Sequence, residues 1–256
     1  MILSTQLEEA SLNSYILSYR KGRDNMRILG FQKTTLLDYP HKLASTLFLG
    51  GCNFRCPFCQ NALIVTEQAS MPELPLEEVL AQLKKRAGVI EGICITGGEP
   101  TLYPELPELI HEIKALGYSV KLDTNGSNPT MLKNLITDNA IDYVAMDIKN
   151  SPEKYSVTAG CNVTLKNVNE SIHLLLQSNI PYEFRTTVVK ELHTSDDFIK
   201  IGQWIHGASQ YYLQNFLDSE HLICPNYFTS YDRESMEAFL PLLTPHVKLV
   251  SLRGID

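Results

Sequence analysis

The chain has 256 residues, 44% of them hydrophobic, and its 29 acidic and 22 basic side chains give a formal net charge of −7. A chain of this length and apolar content can bury one sizeable core. The acidic balance predicts no broad basic face for nucleic acid, and no apolar run approaches the roughly 18 residues needed to span a bilayer.

The first 25 residues are predicted to form an N-terminal extension, either disordered or lying before the native start, and a single domain is predicted over residues 26–256. An alternative start codon is one explanation of the extension, and a docking helix is another. The extension carries Arg20, Lys21 and Arg23 and lacks the apolar core of a signal peptide. We therefore expect a cytoplasmic, reducing location, in which cysteines remain free thiols.

Strand-like and helix-like segments alternate along the chain. Strands are predicted at residues 44–49, 92–96, 118–123, 142–148, 182–189 and 210–216, with a last strand at 246–252. Helices are predicted at residues 75–87, 104–116, 129–138, 165–178, 195–207 and 232–243. Repeated strand–helix units imply a parallel sheet, and six units are too few to close an eight-stranded barrel. The predicted fold class is therefore α/β, an open, partial (β/α)6 TIM-like barrel.

Three cysteines follow the first predicted strand with the spacing C-x3-C-x2-C: Cys52, Cys56 and Cys59. Gly50 and Gly51 separate them from the strand and predict a flexible loop at its carboxyl end. A cubane iron–sulfur cluster has four iron corners, each of which binds a thiolate. Three thiolates on one loop can hold three corners and leave the fourth iron open for chemistry.

Zinc is the alternative metal for this cluster of cysteines. A structural zinc site takes four ligands, usually from two C-x2-C-like pairs, and this sequence has no second pair. His41 could complete a site of three cysteines and one histidine, which leaves a non-catalytic, zinc-stabilised binding module open. The remaining cysteines, Cys94, Cys161 and Cys224, are isolated and are interpreted as buried, inert thiols.

Polar motifs also stand at the carboxyl ends of the next three predicted strands. They are Gly97-Gly98-Glu99-Pro100, Asp123-Thr124-Asn125-Gly126, and the pair Asp147 and Lys149. Each has a simpler structural explanation, as a tight turn, a turn with positive φ, or an ion pair. The carboxyl ends of parallel strands converge on one face, where α/β proteins bind ligands. Four consecutive motifs in these positions therefore predict one shared site.

With these motifs the chain resembles the radical S-adenosylmethionine (radical SAM) superfamily, whose signature is C-x3-C-x-aromatic-C after the first strand. Phe58 supplies the aromatic residue. The resemblance covers most of the chain from Met26 and implies an open barrel of the radical SAM type. It implies a 4Fe–4S cluster on Cys52, Cys56 and Cys59, with S-adenosylmethionine (SAM) at the open iron.

The resemblance also implies roles for residues next to the cluster. Phe58 is expected beside the adenine ring of SAM. The turn that follows the second predicted strand is expected at the methionine amino group, and its matching residues are Gly97, Gly98 and Glu99. Glycines there allow backbone to approach a ligand closely.

Further matches lie on later strands. Asp123, Thr124, Asp147 and Lys149 match positions that gather around the SAM carboxylate and ribose, partly through a bound monovalent cation expected near the two aspartates. Arg185 matches an arginine near the same carboxylate, and its alternative is a solvent-facing position.

Within the superfamily the chain is most similar to the glycyl-radical-enzyme activases, and among them to the activating proteins of anaerobic ribonucleoside-triphosphate reductase. Residues 29–40, LGFQKTTLLDYP, match the opening of that branch, and GCNFRCPFCQN follows at 51–61. Three departures occur: His41 stands where a glycine is usual, Gln60 where a histidine is usual, and residues 213–216 differ from the usual late strand motif. These departures leave the partner open without touching the cluster ligands.

The activity that this resemblance implies is reductive cleavage of SAM and transfer of the radical to a glycine of a partner enzyme. The expected partner is the anaerobic ribonucleotide reductase, and the expected electron donor is flavodoxin or ferredoxin. No nucleic acid or membrane partner is expected. The alternative enzyme keeps the same cofactors and acts on a small molecule, as 7-carboxy-7-deazaguanine synthase-like radical SAM proteins do.

Overall fold

The computed structural model describes residues 26–255, so the predicted extension over residues 1–25 lies outside the described residues. The strands of this part are β1 (Ile28–Thr35), β2 (Ala44–Leu49), β3 (Gly92–Gly97), β4 (Ser119–Thr124), β5 (Tyr143–Asp147), β6 (Tyr182–Val188), β7 (Gln210–Asn215) and β8 (Leu249–Arg253). The helices are α1 (Ala62–Thr66), α2 (Leu76–Lys85), α3 (Leu106–Ala115), α4 (Pro129–Thr137), α5 (Tyr155–Thr158), α6 (Leu165–Gln177), α7 (Ser195–Trp204) and α8 (Arg233–Leu243). Short 3₁₀ turns occupy Gln68–Ser70 and Pro100–Leu102.

All eight strands form one sheet in which spatial order follows chain order. Strands β2 to β8 are parallel, and β1 pairs antiparallel with β2 at the outer edge. Because β1 and β8 are the two ends of this order and do not pair, the barrel is open, as predicted. Helices that connect parallel strands cover the outer face, where α6 buries Val168, Ile172 and Leu175.

The predicted helices all form, and their ends differ from the prediction by no more than three residues. Strand β1 was not predicted, because its residues had been assigned to an opening motif ahead of the first strand. Its middle residues, Gln32 to Thr34, are polar and exposed, and the register with β2 is irregular near Ile28 and again between Gln32 and Thr35. An edge strand of this kind lacks the apolar run that identifies β2 and β3.

The inner face of the sheet is polar at its centre. Side chains alternate along a strand, so Glu183, Arg185 and Thr187 of β6 all point into the barrel. The turn between β1 and β2 fills the amino-terminal end, where Asp38 accepts a hydrogen bond from Thr46 Oγ1 at 2.5 Å. The open space that remains inside the barrel therefore lies towards the carboxyl ends of the strands.

None of the helices between residues 26 and 255 is both long enough and apolar enough to cross a bilayer.

Candidate active site

A cavity of about 330 Å³ lies at the carboxyl ends of the parallel strands. Except for Glu99, every residue predicted for the site lines it: Cys52, Cys56, Phe58, Cys59, Gly97, Gly98, Asp123, Thr124, Asp147, Lys149 and Arg185. The convergence of four strand-end motifs on one space agrees with the general location of ligand sites in parallel α/β folds.

The cysteine loop that follows β2 is fixed by backbone hydrogen bonds to segments distant in sequence. Arg55 N–H donates to Ala159 O after α5, and Cys224 N–H donates to Pro57 O from the loop after β7, each at 2.8 Å. The loop therefore has a defined shape despite the glycines that precede it.

Two aromatic side chains anchor the same loop between the cysteines. Phe54 and Phe58 are both buried. Phe54 packs edge-on against Tyr155 with ring centroids 6.4 Å apart, and Phe58 packs edge-on against Phe228 at 6.2 Å. The two buried rings flank Cys56 and line the cavity together with it.

The three thiols of the loop are unusually weak acids. Burial raises the pKa of Cys52 to about 11 and that of Cys56 to about 12, and it also raises the pKa of Cys59. The cysteines are free rather than paired in disulfides. A buried thiolate is costly without a neighbouring positive charge, which iron ions supply. Three free thiols around one cavity fit a cluster that needs three protein ligands.

The zinc alternative through His41 does not fit the structure. His41 is exposed and precedes β2, whereas the cysteines follow the carboxyl end of that strand. Six residues of strand separate the two ends by about 20 Å. His41 therefore cannot join the three cysteines on a zinc ion.

Gly97 and Gly98 bring the end of β3 against the cysteine loop. A Cβ atom on Gly97, which has φ +117°, would lie 2.3 Å from Leu49 O, and one on Gly98 would lie 1.8 Å from Gly51 O. Neither position can hold a side chain. The sequence predicts these glycines because they let the backbone approach a ligand closely. They are also needed because the backbone before the cysteines lies directly against them.

Glu99 lies behind the cavity wall rather than in it. Its fully buried carboxylate accepts hydrogen bonds from the Thr101 backbone and hydroxyl, from Thr124 Oγ1 at 2.7 Å and from Asn125 N–H at 2.6 Å. Burial raises its pKa in spite of these bonds. Its side chain joins the turn after β3 to the turn after β4, so any direct contact of this segment with a ligand falls to the backbone of the glycines.

A chain of alternating charges crosses β4, β5 and β6. Arg185 donates to Asp123 Oδ2 and to Asp147 Oδ1, each at 3.0 Å, and Lys149 Nζ lies 2.9 Å from Asp147 Oδ2. Lys121 Nζ lies 3.4 Å from Asp123 Oδ1. The chain contains three cations and two anions, and the carboxylate of Asp38 also lines the cavity. The solvent-facing alternative for Arg185 is wrong, since its side chain is 13% exposed.

The carboxylates of this chain are strongly held in the ionised form. Burial acts to raise the pKa of Asp147, but Arg185 and Lys149 outweigh it and lower that pKa to about 2. The pKa of Asp123 is lowered in the same way, with burial opposed by Arg185 and Lys121. The pKa of Lys149 is raised, because the attraction of Asp147 exceeds the effect of burial. The simple ion-pair explanation of Asp147 and Lys149 is therefore also correct.

Further polar residues that were not singled out from the sequence also line the cavity, among them Asn61, Asn125, Thr187 and Gln214. Asn61 donates to Gly97 O at 2.8 Å, and Asn125 donates to Asn53 Oδ1 at 2.9 Å. The sequence signal for Asn125 is its place in the Asp-Thr-Asn-Gly motif, where it was interpreted as a turn residue. Thr187 and Gln214 carry no local motif, and only the strand register brings them to the cavity.

Comparison with known proteins identifies the family of this fold and site. A family model described as the radical SAM superfamily matches residues 46–205, which include the cysteine loop and the strand-end motifs up to β6. The chain belongs to the radical SAM superfamily. This superfamily implies a 4Fe–4S cluster and SAM, and the three cysteines with the surrounding cavity fit that pair.

Two curated proteins that are similar in sequence to this chain have names that give two different activities. A protein of Methanocaldococcus jannaschii, named by inference as a glycyl-radical enzyme activating enzyme, is 32% identical over 194 residues, covering 74% of this chain and 79% of that protein. The 7-carboxy-7-deazaguanine synthase of Neisseria meningitidis serogroup B is 39% identical over 101 residues, covering 40% of this chain and 41% of that enzyme.

Solved structures share the fold of this radical SAM protein at low sequence identity. Streptococcus suis SuiB bound to S-adenosylmethionine superposes with a TM-score of 0.64 at 13% identity, covering 80% of this chain and 48% of that one. A domain of the pyruvate-formate lyase-activating enzyme from Bacteroides vulgatus gives 0.52 at 15% identity, covering 64% of this chain and 99% of that one. These likenesses establish the barrel and nothing finer.

Proposed function

We propose that this radical SAM protein is an activase that generates a glycyl radical on a partner enzyme. The observation that carries the proposal is the similarity to the Methanocaldococcus jannaschii relative, because it extends over 79% of a protein named as a glycyl-radical enzyme activating enzyme. The similarity to 7-carboxy-7-deazaguanine synthase from Neisseria meningitidis covers 41% of that enzyme. The longer match supports the activase.

The cofactor pair supplies one-electron cleavage of SAM, which yields methionine and a 5′-deoxyadenosyl radical able to take a hydrogen atom from a glycine Cα. Cys52, Cys56 and Cys59 would hold the cluster through three thiolates and would leave one iron without a protein ligand, available to SAM. The positive charges of Lys149 and Arg185 attract the SAM carboxylate into the cavity.

The remaining predicted residues orient the nucleoside and amino acid parts of SAM. The backbone of Gly97 and Gly98 would face the methionine amino group, and Phe58 would lie beside the adenine ring. Asp123 and Thr124 would bind the ribose side. A monovalent cation near Asp123 and Asp147 would add positive charge beside these two carboxylates.

We further propose the anaerobic ribonucleoside-triphosphate reductase as the partner and flavodoxin or ferredoxin as the electron donor. The support for this partner is the match of residues 29–40 and 51–61 to that branch of activases. Cysteines that ligate a cluster must stay reduced, which supports a cytoplasmic location.

The test is the appearance of a glycyl radical on that partner. The reconstituted protein, SAM and a reductant are mixed anaerobically with the reductase of the same organism, and the reductase is examined by electron paramagnetic resonance. A doublet that collapses when the reductase glycines are α-deuterated supports the proposal. The absence of a radical, together with restored 7-carboxy-7-deazaguanine formation in a strain lacking its synthase, would establish the small-molecule alternative instead.

A further inference from the structure

Most polar side chains that line the cavity are already engaged with other protein groups. The charged residues form the chain of ion pairs, and the asparagines donate to neighbouring loops. Within residues 26–255, the lining hydroxyl and amide side chains that have no hydrogen-bond partner are those of Thr96, Thr187 and Gln214. Thr96 stands on β3 beside Gly97, on the side predicted for SAM, while the other two lie on β6 and β7.

Thr187 and Gln214 form a neutral polar pair towards the carboxyl ends of β6 and β7. They are directly opposite each other in the parallel register of β6 and β7. Both side chains are half-buried and border the same open space as the cysteines. The deeper inward-facing residues of β6 are already engaged: Arg185 by the two aspartates, and Glu183 by Arg253 at 2.6 Å and by Tyr143 at 2.9 Å. The pair therefore points its hydrogen-bonding groups at the cavity and at nothing else.

The chemistry of the pair selects an amide rather than a charged group. A glutamine side chain offers N–H donors and a carbonyl acceptor, and a threonine hydroxyl adds a donor and acceptor. This set is complementary to a peptide group, which carries one N–H and one C=O. A carboxylate or phosphate would be better placed against Lys149 and Arg185, which carry the positive charge of this cavity.

A glycine within a polypeptide has no side chain by which an enzyme can recognise it. Its position must be fixed through the peptide groups on either side and through neighbouring residues. We propose that Thr187 and Gln214 bind the peptide group next to the hydrogen-donating glycine, so that the substrate of this cavity is a polypeptide backbone. This inference rests on the activase function proposed above, and it names the residues that hold the donor.

The experiment uses isosteric variants without the hydrogen-bonding groups, Thr187→Val and Gln214→Met. The probe is an equimolar mixture of fluorescein-labelled heptapeptides with a central α,α-dideuterated glycine. The affinity of the SAM-loaded, unreduced protein for this probe is measured by fluorescence anisotropy, and SAM affinity is measured separately by calorimetry. After reduction, deuterium in 5′-deoxyadenosine reports hydrogen transfer. Thr96→Val is the matched control, because it makes the same chemical change as Thr187→Val but on β3, beside Gly97.

The expected result is a loss of probe affinity of about tenfold for each variant, with a similar fall in deuterium transfer at low probe concentration. SAM affinity should stay within about twofold, and Thr96→Val should retain full probe affinity. Loss of SAM affinity in the two variants would overturn the inference and assign the pair to the SAM site. If the variants transfer as much deuterium as the wild type does, the inference is overturned while the proposed function stands. A wild-type protein that takes no deuterium from any peptide would overturn the proposed function, and the inference with it.

Discussion

Removal of Arg185 tests whether the chain of charges stabilises the site as its geometry indicates. The Arg185 guanidinium bridges Asp123 and Asp147 at 3.0 Å on each side, and its side chain is 13% exposed. The substitution Arg185→Gln keeps much of the volume and removes the charge. Each aspartate then keeps one cation, Lys121 at 3.4 Å or Lys149 at 2.9 Å.

The expected loss of unfolding free energy follows from the burial of these ion pairs and from the lowered pKa of Asp147. Removing one partner of a buried ion pair typically costs about 3–5 kcal/mol. The fall in the pKa of Asp147 from 3.8 to about 2 corresponds to about 2 kcal/mol of preference for the ionised form, shared between Arg185 and Lys149. Asp123 adds a further contribution of the same sign. Because both lysines remain, we expect the variant to lose about 3 kcal/mol in its free energy of unfolding.

Urea unfolding of the cluster-free protein at pH 7 measures this loss without the complication of a bound cofactor. The control is Lys200→Gln, which removes an ion pair of 3.5 Å between side chains that are 47% and 62% exposed. Such a surface pair contributes less than about 1 kcal/mol. If Arg185→Gln destabilises the protein no more than Lys200→Gln does, the interpretation of the charge chain is wrong.

The stability difference between the wild type and Arg185→Gln should also depend on pH. Since Asp123 and Asp147 have pKa values below those of unfolded aspartate, their stabilisation is complete above about pH 5 and is lost as pH falls towards 2. The stability difference between wild type and Arg185→Gln should therefore shrink between pH 5 and pH 3. A constant difference over that range would contradict the assignment.

Four further substitutions test the metal ligands and the backbone contact beside them. Cys56→Ala should abolish reductive SAM cleavage and lower bound iron after anaerobic reconstitution; full activity would refute both enzyme functions. Gly98→Ala forces a Cβ to within 1.8 Å of Gly51 O, so we expect a loss of about 3 kcal/mol in unfolding free energy and lower iron content. Gly88→Ala, with no atom within 4 Å, should cost only the strain of its positive φ, about 1 kcal/mol. His41→Ala should leave metal content unchanged by elemental analysis, and loss of bound metal would restore the zinc alternative.

The sequence was sufficient to predict the repeated part of the fold. Apolar runs and helical periodicity located β2 to β7 and six of the helices, because each of these elements buries one side against the shared core. Strand β1 was missed because an edge strand with exposed Gln32, Lys33 and Thr34 needs no such pattern. Its antiparallel pairing with β2 is a property of the sheet and not of the segment.

Some residues of the candidate site could likewise be predicted from the sequence, and others could not. Cys52, Asp123 and Asp147 could be predicted because each belongs to a motif whose residues are adjacent in sequence. Gln214 could not, because it reaches the cavity only through the register of β7 against β6. The role of Glu99 was also beyond the sequence, since its hydrogen bonds join two turns that are 25 residues apart.

The central claim is that three cysteines leave one iron of the cluster for SAM. The most direct measurement is electron paramagnetic resonance of the reduced, anaerobically reconstituted protein, recorded before and after SAM is added. We expect the spectrum of the reduced cluster to change its g values on addition of SAM, because a new ligand enters at the fourth iron. A spectrum that is identical with and without SAM, or a protein that binds about one zinc and no iron, would contradict the claim.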